Sequence, residues 1–520
     1  MPAQPAPAAE EEDGGEEEVS AGGGSKFLLF AAVPSWMISA VVHFIALVIL
    51  ALITISEPVK STVMQISAPP TEELEEVEEL QEEKIEMKLD EQVTTEQSDV
   101  ISQIVTNVVE TTETPTVAMD VDAAPVSVEL SDFGEETAPK NDLMKTIGSF
   151  TGTGTDGRGE AMRGQMVAAL GGTSESEAAV AAALEWFANH QNPDGSWNYD
   201  HRTGPCQGRC ADPGRLSDCK TGATGMALLP FLGAGQTHKT GKYKRNVEMG
   251  LYFLASQMKV KNQGGLQCGD LAQSGGSMYS HGIASIVLCE AYAMTHDKGL
   301  MAPAQLSLNH IVYAQDPVGG GWRYAPRQAG DTSVVGWQLM ALKSGHMAYL
   351  IVPKETIIGA SKFLDSVQAN GQSDPRYGYT GPGAGNATTA IGLLCRMYLG
   401  WKKDHPGVQN GAMHIGKIGP SKGNMYYNYY ATQVMRHYGG DDVGPAREAW
   451  DKWNKEMRDW LVAGQDKNGH QKGSWLMKGD HGSDAGGRIY CTSMSTMILE
   501  VYYRHMPIYG KQAAEEDFPL

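Results

Sequence analysis

One short stretch of the chain concentrates four side chains that can bind a metal or react with one another. In HRTGPCQGRCADPGRLSDC, His201, Cys206, Cys210 and Cys219 fall within nineteen positions. Imidazole and thiolate are the ligands that zinc favours, and a CxxxC pair lies within the spacings found in zinc sites. Cysteines so close together also form disulfides in an oxidising compartment. From the sequence alone, these residues could bind zinc, form a disulfide or remain free thiols. A disulfide is expected if the domain lies outside the cytoplasm.

A second set of residues is polar or aromatic and lies near the starts of apolar helical stretches. Helices that run parallel around a ring would bring these starts to one end and place them at the rim of a central cavity. Each residue alone fits a helix cap or a packed aromatic, and an Asp at a helix start is commonly an N-cap. Together they predict a mouth suited to a ligand with apolar and polar parts. The set is Tyr279, His281, Asp331, Trp337, Asn386, Tyr427, Arg488 and Tyr490.

Ser39 and His43 lie four residues apart in an apolar run at 33–55 that contains no charged residue. A helix of this length spans the core of a bilayer, and the run is too long and follows too acidic a segment for a signal peptide. Spacing of four puts both side chains on one helix face, and ionisable groups at membrane depth are usually functional. The alternative is a histidine that is simply tolerated there. We predict a single-pass membrane helix.

The SAVVH pattern around these residues resembles the SxxxH of TonB-type energy transducers, whose membrane helix docks on a proton-driven stator. The resemblance covers the anchor only. It implies that Ser39 and His43 couple to a proton-channel stator in the cell inner membrane. It also implies that the C-terminal domain lies in the periplasm.

The charge of the chain is concentrated in its first part. Residues 1–150 contain 30 Asp and Glu against 6 Lys and Arg, whereas the whole chain has a net charge of -21. The remaining residues are therefore close to neutral, and a nucleic-acid-binding protein would need a basic surface. We expect no nucleic-acid partner.

Composition divides the chain into five segments. Segments poor in large apolar side chains cannot offset their chain entropy, and this predicts disorder for the N-terminal tail. The segments are a disordered acidic tail at 1–32, a membrane helix at 33–55, an acidic and then Gly-rich linker at 56–173, a folded domain at 174–508, and a tail at 509–520.

The folded domain is built from internal repeats, each with an amphipathic helix, a turn rich in Gly and aromatic residues, and a more apolar helix. Six such pairs predict an all-α, (α/α)6 toroid, with the apolar helices inside and the amphipathic ones outside. The apolar helices are predicted to begin near Thr221, His281, Thr332, Ala387, Tyr427 and Tyr490.

Three of the turns, QNPDGSW (191–197), QDPVGGGW (315–322) and QDKNGHQKGSW (465–475), resemble the QW-type repeats of the squalene cyclase and protein prenyltransferase superfamily. The resemblance covers about 174–508 and is nearest to membrane-anchored prenyltransferase/squalene-oxidase-repeat proteins without an assigned reaction. It implies the terpenoid-cyclase α/α toroid and an isoprenoid or other lipid as ligand.

The catalytic motifs of that superfamily are incomplete in this chain. Cyclases use DxDD, and the matching stretch keeps only Asp331, with Gln328 and Gly330 at the other two carboxylate positions. Clustered carboxylates hold one acid protonated. We therefore expect Asp331 to ionise at an ordinary pKa and the domain not to cyclise squalene-like polyenes. The prenyltransferase zinc motif would have Ser333 in place of Cys and Tyr490 or Cys491 in place of His.

The sequence favours a membrane-anchored binding or scaffold module of the cell envelope with an unknown ligand. One alternative is an enzyme acting on an isoprenoid or other lipid, with Asp331 as its acid. The other is a glycan-active α/α-barrel enzyme, which would require a pair of facing carboxylates. A carboxylate pair in the cavity would indicate an enzyme, and a single unpartnered Asp would favour binding.

Overall fold

The helices of the described chain begin and end close to the turns that the sequence indicates. The computed structural model describes residue 158 and residues 160–371 and 373–505. Its helices are α1 Glu160–Leu170, α2 Ser174–Ala188, α3 Lys220–Gly233, α4 Lys244–Gln257, α5 Ser277–Thr295, α6 Lys298–Ala314, α7 Thr332–Met347, α8 Lys354–Val367, α9 Asn386–Tyr398, α10 Pro406–Ile418, α11 Met425–Gly439, α12 Pro445–Gly464, α13 His481–Leu499 and α14 Val501–Arg504. Two strands, β1 Lys259–Gln263 and β2 Leu266–Asp270, lie between α4 and α5.

Six apolar helices of the described chain form a closed inner ring. Helix α3 packs on α5, α5 on α7, α7 on α9, α9 on α11 and α11 on α13, and α13 returns to α3. Nearly every residue of α3 is buried, as expected for a helix that has neighbours on all sides. The prediction that the apolar helices form the inner layer is therefore confirmed for the described residues.

The amphipathic helices cover this ring from outside. Helices α2, α4, α6, α8, α10 and α12 each contact one or two inner helices. In α12 the buried face carries Trp450, Trp453, Met457 and Leu461 at helical spacing. The described domain is thus the double ring that the repeats predict.

A glutamine in each complete turn fastens its loop to the next outer helix. The side-chain amide of Gln191 donates to the carbonyl oxygen of Gly195 in its own turn and to that of Asn246 in α4, both at 2.9 Å. Gln315 makes the equivalent pair of hydrogen bonds with Gly320 and with Thr356 in α8. Buried carbonyl groups need hydrogen-bond partners, and this requirement explains why each of these turns begins with Gln.

The tryptophan of the same turns donates a hydrogen bond to the last turn of the preceding helix. Trp197 is fully buried, and its indole N–H donates to the carbonyl oxygen of Phe187 near the end of α2 at 2.8 Å. The indole N–H of Trp322 donates to Ile311 at 2.7 Å, and that of Trp475 donates to Leu461 at 2.8 Å. Each indole satisfies a carbonyl that the helix end leaves without an intrahelical partner.

The end of the ring that holds the C-termini of the inner helices is crossed by α14. The Arg504 guanidinium contacts both carboxylate oxygens of Glu290 in α5, at 3.0 and 3.1 Å, and also donates to the carbonyl oxygen of Leu229 in α3. Glu500, fully buried, lies 3.5 Å from the same guanidinium. This charged cluster ties α14 to two inner helices.

Two elements differ from the sequence-based expectation. The stretch 147–173 was expected to belong to the flexible linker, but 160–170 is helix α1, and Val167 and Leu170 are buried. The domain was expected to be all-helical, but β1 and β2 form an antiparallel hairpin whose turn is Gly264 and Gly265, both with positive φ. Two glycines of this kind are the usual loop of a tight hairpin.

Within the described residues, no helix is both long enough and apolar enough to span a bilayer. The expected membrane helix at 33–55, with Ser39 and His43, lies outside those residues, as do the tails at 1–32 and 509–520. These expectations stay predictions.

Candidate functional site

A cavity of about 500 Å³ opens at the N-terminal ends of the inner helices. Every inner helix contributes to its wall, which places the cavity on the axis of the ring. The contributing residues are Met226 from α3, Tyr279 from α5, Trp337 from α7, Ala387 from α9, Tyr426 from α11 and Tyr490 from α13. The wall is therefore mainly aromatic and apolar.

Loops complete the wall with further tyrosines. Tyr199, Tyr324 and Tyr379 line the cavity from the turns between outer and inner helices. The hydroxyl groups of Tyr324 and Tyr379 share a hydrogen bond of 2.6 Å, and the Arg323 guanidinium lies over both rings, 5.3 and 5.8 Å from their centroids. Burial raises the pKa of Tyr379, so its hydroxyl stays neutral.

Three of the eight residues proposed for the rim line this cavity. They are Tyr279, Trp337 and Tyr490. Trp337 stacks on Tyr429, with ring centroids 5.6 Å apart, and packing of this kind fixes the orientation of the indole.

The other five proposed residues do not line the cavity. His281 is buried between α5 and α6, where its Nδ1 accepts from the amide of Leu271 and its Nε2 lies 3.0 Å from the carbonyl oxygen of Ser307. Asn386 is exposed at the start of α9. Tyr427 turns outward onto Trp453.

Arg488 points into the inserted loop rather than into the cavity. Its guanidinium donates to the carbonyl oxygen of Ala211 at 3.0 Å and pairs with Asp466 and Asp212. The backbone of α13 is non-helical at Gly487, which directs the following residue toward the loop. Arg488 is thus a structural link between α13 and the loop.

Asp331 caps helix α7 and is buried behind the cavity wall. One carboxylate oxygen accepts from the amide of Val334 at 2.9 Å, as expected for an N-cap. The other has no hydrogen-bond partner among the described residues and lies 3.6 Å from Nε of Arg323. Burial raises the pKa of this carboxyl above its ordinary value, although the Val334 amide opposes the shift. The expectation of an ordinary pKa is corrected here, because the side chain is fully buried.

Asp480 is a carboxylate in the cavity wall that was not predicted from the sequence. One oxygen accepts from the amides of Gly482 and Ser483 at the start of α13, and the other accepts from the amide of Met425 at 2.6 Å. Both oxygens are therefore committed to holding the starts of α11 and α13 together. Its position directly before the first residue of α13, where Asp is a common N-cap, was the signal for it in the sequence.

Two of the four proposed ligands in the loop meet at a cluster with two histidines. Cys206 and Cys210 lie with His190 and His470, and the four donor atoms are all within 4.8 Å of one another. The Cys210 sulfur is 3.4 Å from Nε2 of His190 and 3.1 Å from Nδ1 of His470. Burial lowers the pKa of His190 to about 3, so that its imidazole is neutral and able to act as a ligand.

The other two proposed ligands are outside this cluster. Cys219 precedes α3 and lines the cavity, and His201 is buried with its ring centroid 5.8 Å from that of His190. All seven cysteines are free thiols in the structure. No disulfide joins Cys206, Cys210 and Cys219 in this structure, and His201 and Cys219 lie apart from the group that contains Cys206 and Cys210.

A second group of donors, Asp270, His281 and His310, lies near β2. Both ring nitrogens of His281 already contact backbone groups, as described above. His310 contacts the side chain of Gln263 at 3.3 Å and the carboxylate of Asp270 at 3.6 Å. These contacts explain why the three side chains lie together: each packs against, and bonds to, other groups of the protein.

No protein-family model and no curated protein matches the chain. Similar solved structures include the GH76A α-1,6-mannanase of Salegentibacter sp. HEL1_6, at 9% identity and a TM-score of 0.44, over 63% of this chain and 99% of that one. A type II terpene cyclase from Scytonema, in complex with geranylgeranyl dihydroxybenzoate, is similar at 12% identity and a TM-score of 0.40, over 64% and 98%. Both neighbours are α/α-toroid enzymes, and at these scores neither assigns an activity to this chain.

Proposed function

We propose that the toroid is a binding module whose ligand is a mainly apolar molecule with a polar end, such as an isoprenoid or another lipid. The observation that carries this proposal is the axial cavity of about 500 Å³, with its aromatic and apolar wall. This volume lies within the range of small-molecule sites, and apolar burial supplies most of the affinity in such pockets.

The hydrogen bonding of Asp480 and the burial of Asp331 favour binding over catalysis. Asp480 is in the wall, but both of its oxygens accept backbone hydrogen bonds. Asp331 is fully buried and caps α7. A catalytic acid or base must reach the reacting group, and neither carboxylate is free to do so in this arrangement.

A lipid-active enzyme is the second candidate, and one observation favours it. Burial raises the pKa of Asp331, and carboxyl groups with shifted pKa values are found most often at functional sites. A movement of Tyr379 or Arg323 would be needed to expose it. A glycan-active enzyme would need two facing carboxylates, and among the described residues of the wall Asp480 is the single acidic side chain.

The location of the module rests on the sequence. We propose that 33–55 anchors it in the cell inner membrane, that the toroid is periplasmic, and that Ser39 and His43 contact a proton-channel stator. Protease treatment of spheroplasts tests the topology, since a periplasmic toroid is digested while the inner membrane is intact. A toroid that resists digestion until that membrane is lysed contradicts the proposal.

The ligand is tested on the full chain, purified in detergent, by native mass spectrometry and by analysis of extracted lipids. We expect a bound apolar molecule in the wild type. The variant Ala387→Phe places a ring at the cavity wall and should lower its occupancy at least tenfold. Ala181→Phe is the matched control, because Ala181 is exposed on the outer helix α2. Equal occupancy in both variants would locate the ligand outside the cavity and refute the proposal.

A further inference from the structure

Four metal-binding side chains converge where the last repeat meets the first. His190 follows the C-terminus of α2, Cys206 and Cys210 belong to the inserted loop before α3, and His470 belongs to the loop between α12 and α13. The side chains of His190, Cys206 and Cys210 are buried, with at most 2% of each residue exposed. The cluster therefore joins two neighbouring segments of the first repeat to a loop of the last repeat.

The spacing of the donor atoms fits tetrahedral zinc. With Zn–S of about 2.3 Å and Zn–N of about 2.0–2.1 Å, tetrahedral angles place sulfur and nitrogen about 3.5 Å apart and two sulfurs about 3.8 Å apart. The observed sulfur-to-nitrogen distances are 3.4 Å from Cys210 to His190, 3.1 Å from Cys210 to His470, and 3.8 Å from Cys206 to His470. Small movements would bring all four donors to one ion.

The surroundings orient these donors toward a common point. Nδ1 of His190 lies 2.6 Å from the carbonyl oxygen of Trp186, so Nδ1 carries the proton and Nε2 presents its lone pair to the cluster. Metal-bound histidines are commonly held in this way by a carbonyl group. The backbone amide of Cys210 donates to the sulfur of Cys206 at 3.3 Å, which holds that sulfur beside the other donors.

We propose that His190, Cys206, Cys210 and His470 form a Cys2His2 zinc site. Four protein donors fill the tetrahedral coordination of the ion and leave no position for water or substrate, which makes the site structural rather than catalytic. Each thiol that binds releases its proton to solvent as the Zn–S bond forms, and no oxidant is involved. The inference does not depend on what occupies the axial cavity.

The consequence is a metal link across the seam of the ring. His470 belongs to the sixth repeat, whereas His190 and the two cysteines belong to the first. The inserted loop that the ion would hold also supplies Leu216 and Cys219 to the cavity wall. Zinc would therefore stabilise both the closure of the ring and one side of the cavity.

The experiment measures metal content in the detergent-purified full chain, expressed without a histidine tag and kept reduced. Inductively coupled plasma mass spectrometry should find about one zinc per wild-type chain. Cys210→Ser and His470→Ala should each contain less than a tenth of that amount. Cys268→Ser and His414→Ala, which change residues outside the cluster, should keep it. Cobalt substitution should add a thiolate-to-cobalt charge-transfer band in the wild type, and Cys210→Ser should weaken that band.

A second measurement uses only the wild type, so it tests the proposal even if the ligand variants fail to fold. Removal of the metal from the wild type with a chelator should lower its Tm, and added zinc should restore it. A wild type that stays metal-free after reconstitution under reducing conditions would overturn the proposal. So would ligand variants that keep their zinc, or a Cys206–Cys210 disulfide in a parallel sample purified without reductant.

Discussion

The side-chain amide of Gln465 donates to the main-chain oxygen of Ala179 at 2.8 Å, and this hydrogen bond joins the sixth repeat to the first. The same amide donates to Gly473 within its own turn at 2.9 Å. Gln191 and Gln315 use the same two bonds to reach the next outer helix along the chain. For Gln465 the next outer helix is α2 of the first repeat. The hydrogen bond that links successive repeats elsewhere therefore closes the ring at this position.

Replacement of Gln465 by Ala should lower the free energy of unfolding by about 1–3 kcal/mol, because two buried carbonyl oxygens lose their donor. Chemical denaturation of the purified chain measures the change. Gln409→Ala is the control, since Gln409 is exposed on α10, and it should change stability by less than about 0.5 kcal/mol. Equal effects of the two substitutions would show that the seam does not depend on this bond.

Gly195→Ala should destabilise the protein more than Gly371→Ala. Both glycines have φ of 83°, so alanine meets similar backbone strain at each, about 1–2 kcal/mol. At Gly195 an added Cβ would also collide with the main-chain carbonyl of Met249, whereas nothing lies within 4 Å of one at Gly371. The difference between the two losses in unfolding free energy therefore isolates the contact between turn and outer helix. A larger loss at Gly371 would contradict this contact.

Asp331→Ala should cost about 0.5–2 kcal/mol through loss of the α7 cap, whereas Asp331→Asn should retain most of the stability, because Asn is also a good N-cap. Thermal unfolding of both variants makes the comparison. The binding reading also predicts no cyclic products from squalene or linear prenyl diphosphates with wild type or variant. Turnover that is abolished by Asp331→Asn would restore the enzyme reading.

The stability of the toroid should fall as pH rises from about 4.5 to about 8. Burial raises the pKa of Glu500 from 4.5 to about 8, although Arg504 opposes the shift. Arg504 is already paired with both oxygens of Glu290. In this range the folded protein keeps the Glu500 proton and the unfolded chain has lost it, so the stabilisation is complete below pH 4.5 and is lost as pH approaches 8.

Melting temperatures of wild type and Glu500→Gln, measured across this range, test the assignment. Gln mimics the protonated acid and does not titrate, so the variant should show a flatter pH dependence and a smaller deficit at pH 8 than at pH 5. Glu248→Gln, on the surface of α4, serves as the control for general charge effects. Parallel curves for wild type and Glu500→Gln would refute the raised pKa.

Local sequence patterns determined the architecture of the described domain. The apolar helices were predicted to begin at Thr332 and near Ala387 and Tyr490, and the structure has α7, α9 and the regular part of α13 there. This is possible because helix periodicity and turn chemistry are properties of neighbouring residues. The hairpin at 259–270 and helix α1 were missed, since short segments give a weak periodic signal.

The tertiary structure alone decided which side chains share a site. Tyr426 faces the cavity and Tyr427 faces α12, a difference of one position, or about 100° around a helix, that sequence reasoning did not resolve. His190 and His470 are 280 positions apart in the chain, yet they meet at Cys210 because the ring closes. Distances across a closed ring depend on the packing of all six repeats, and no local pattern contains that information.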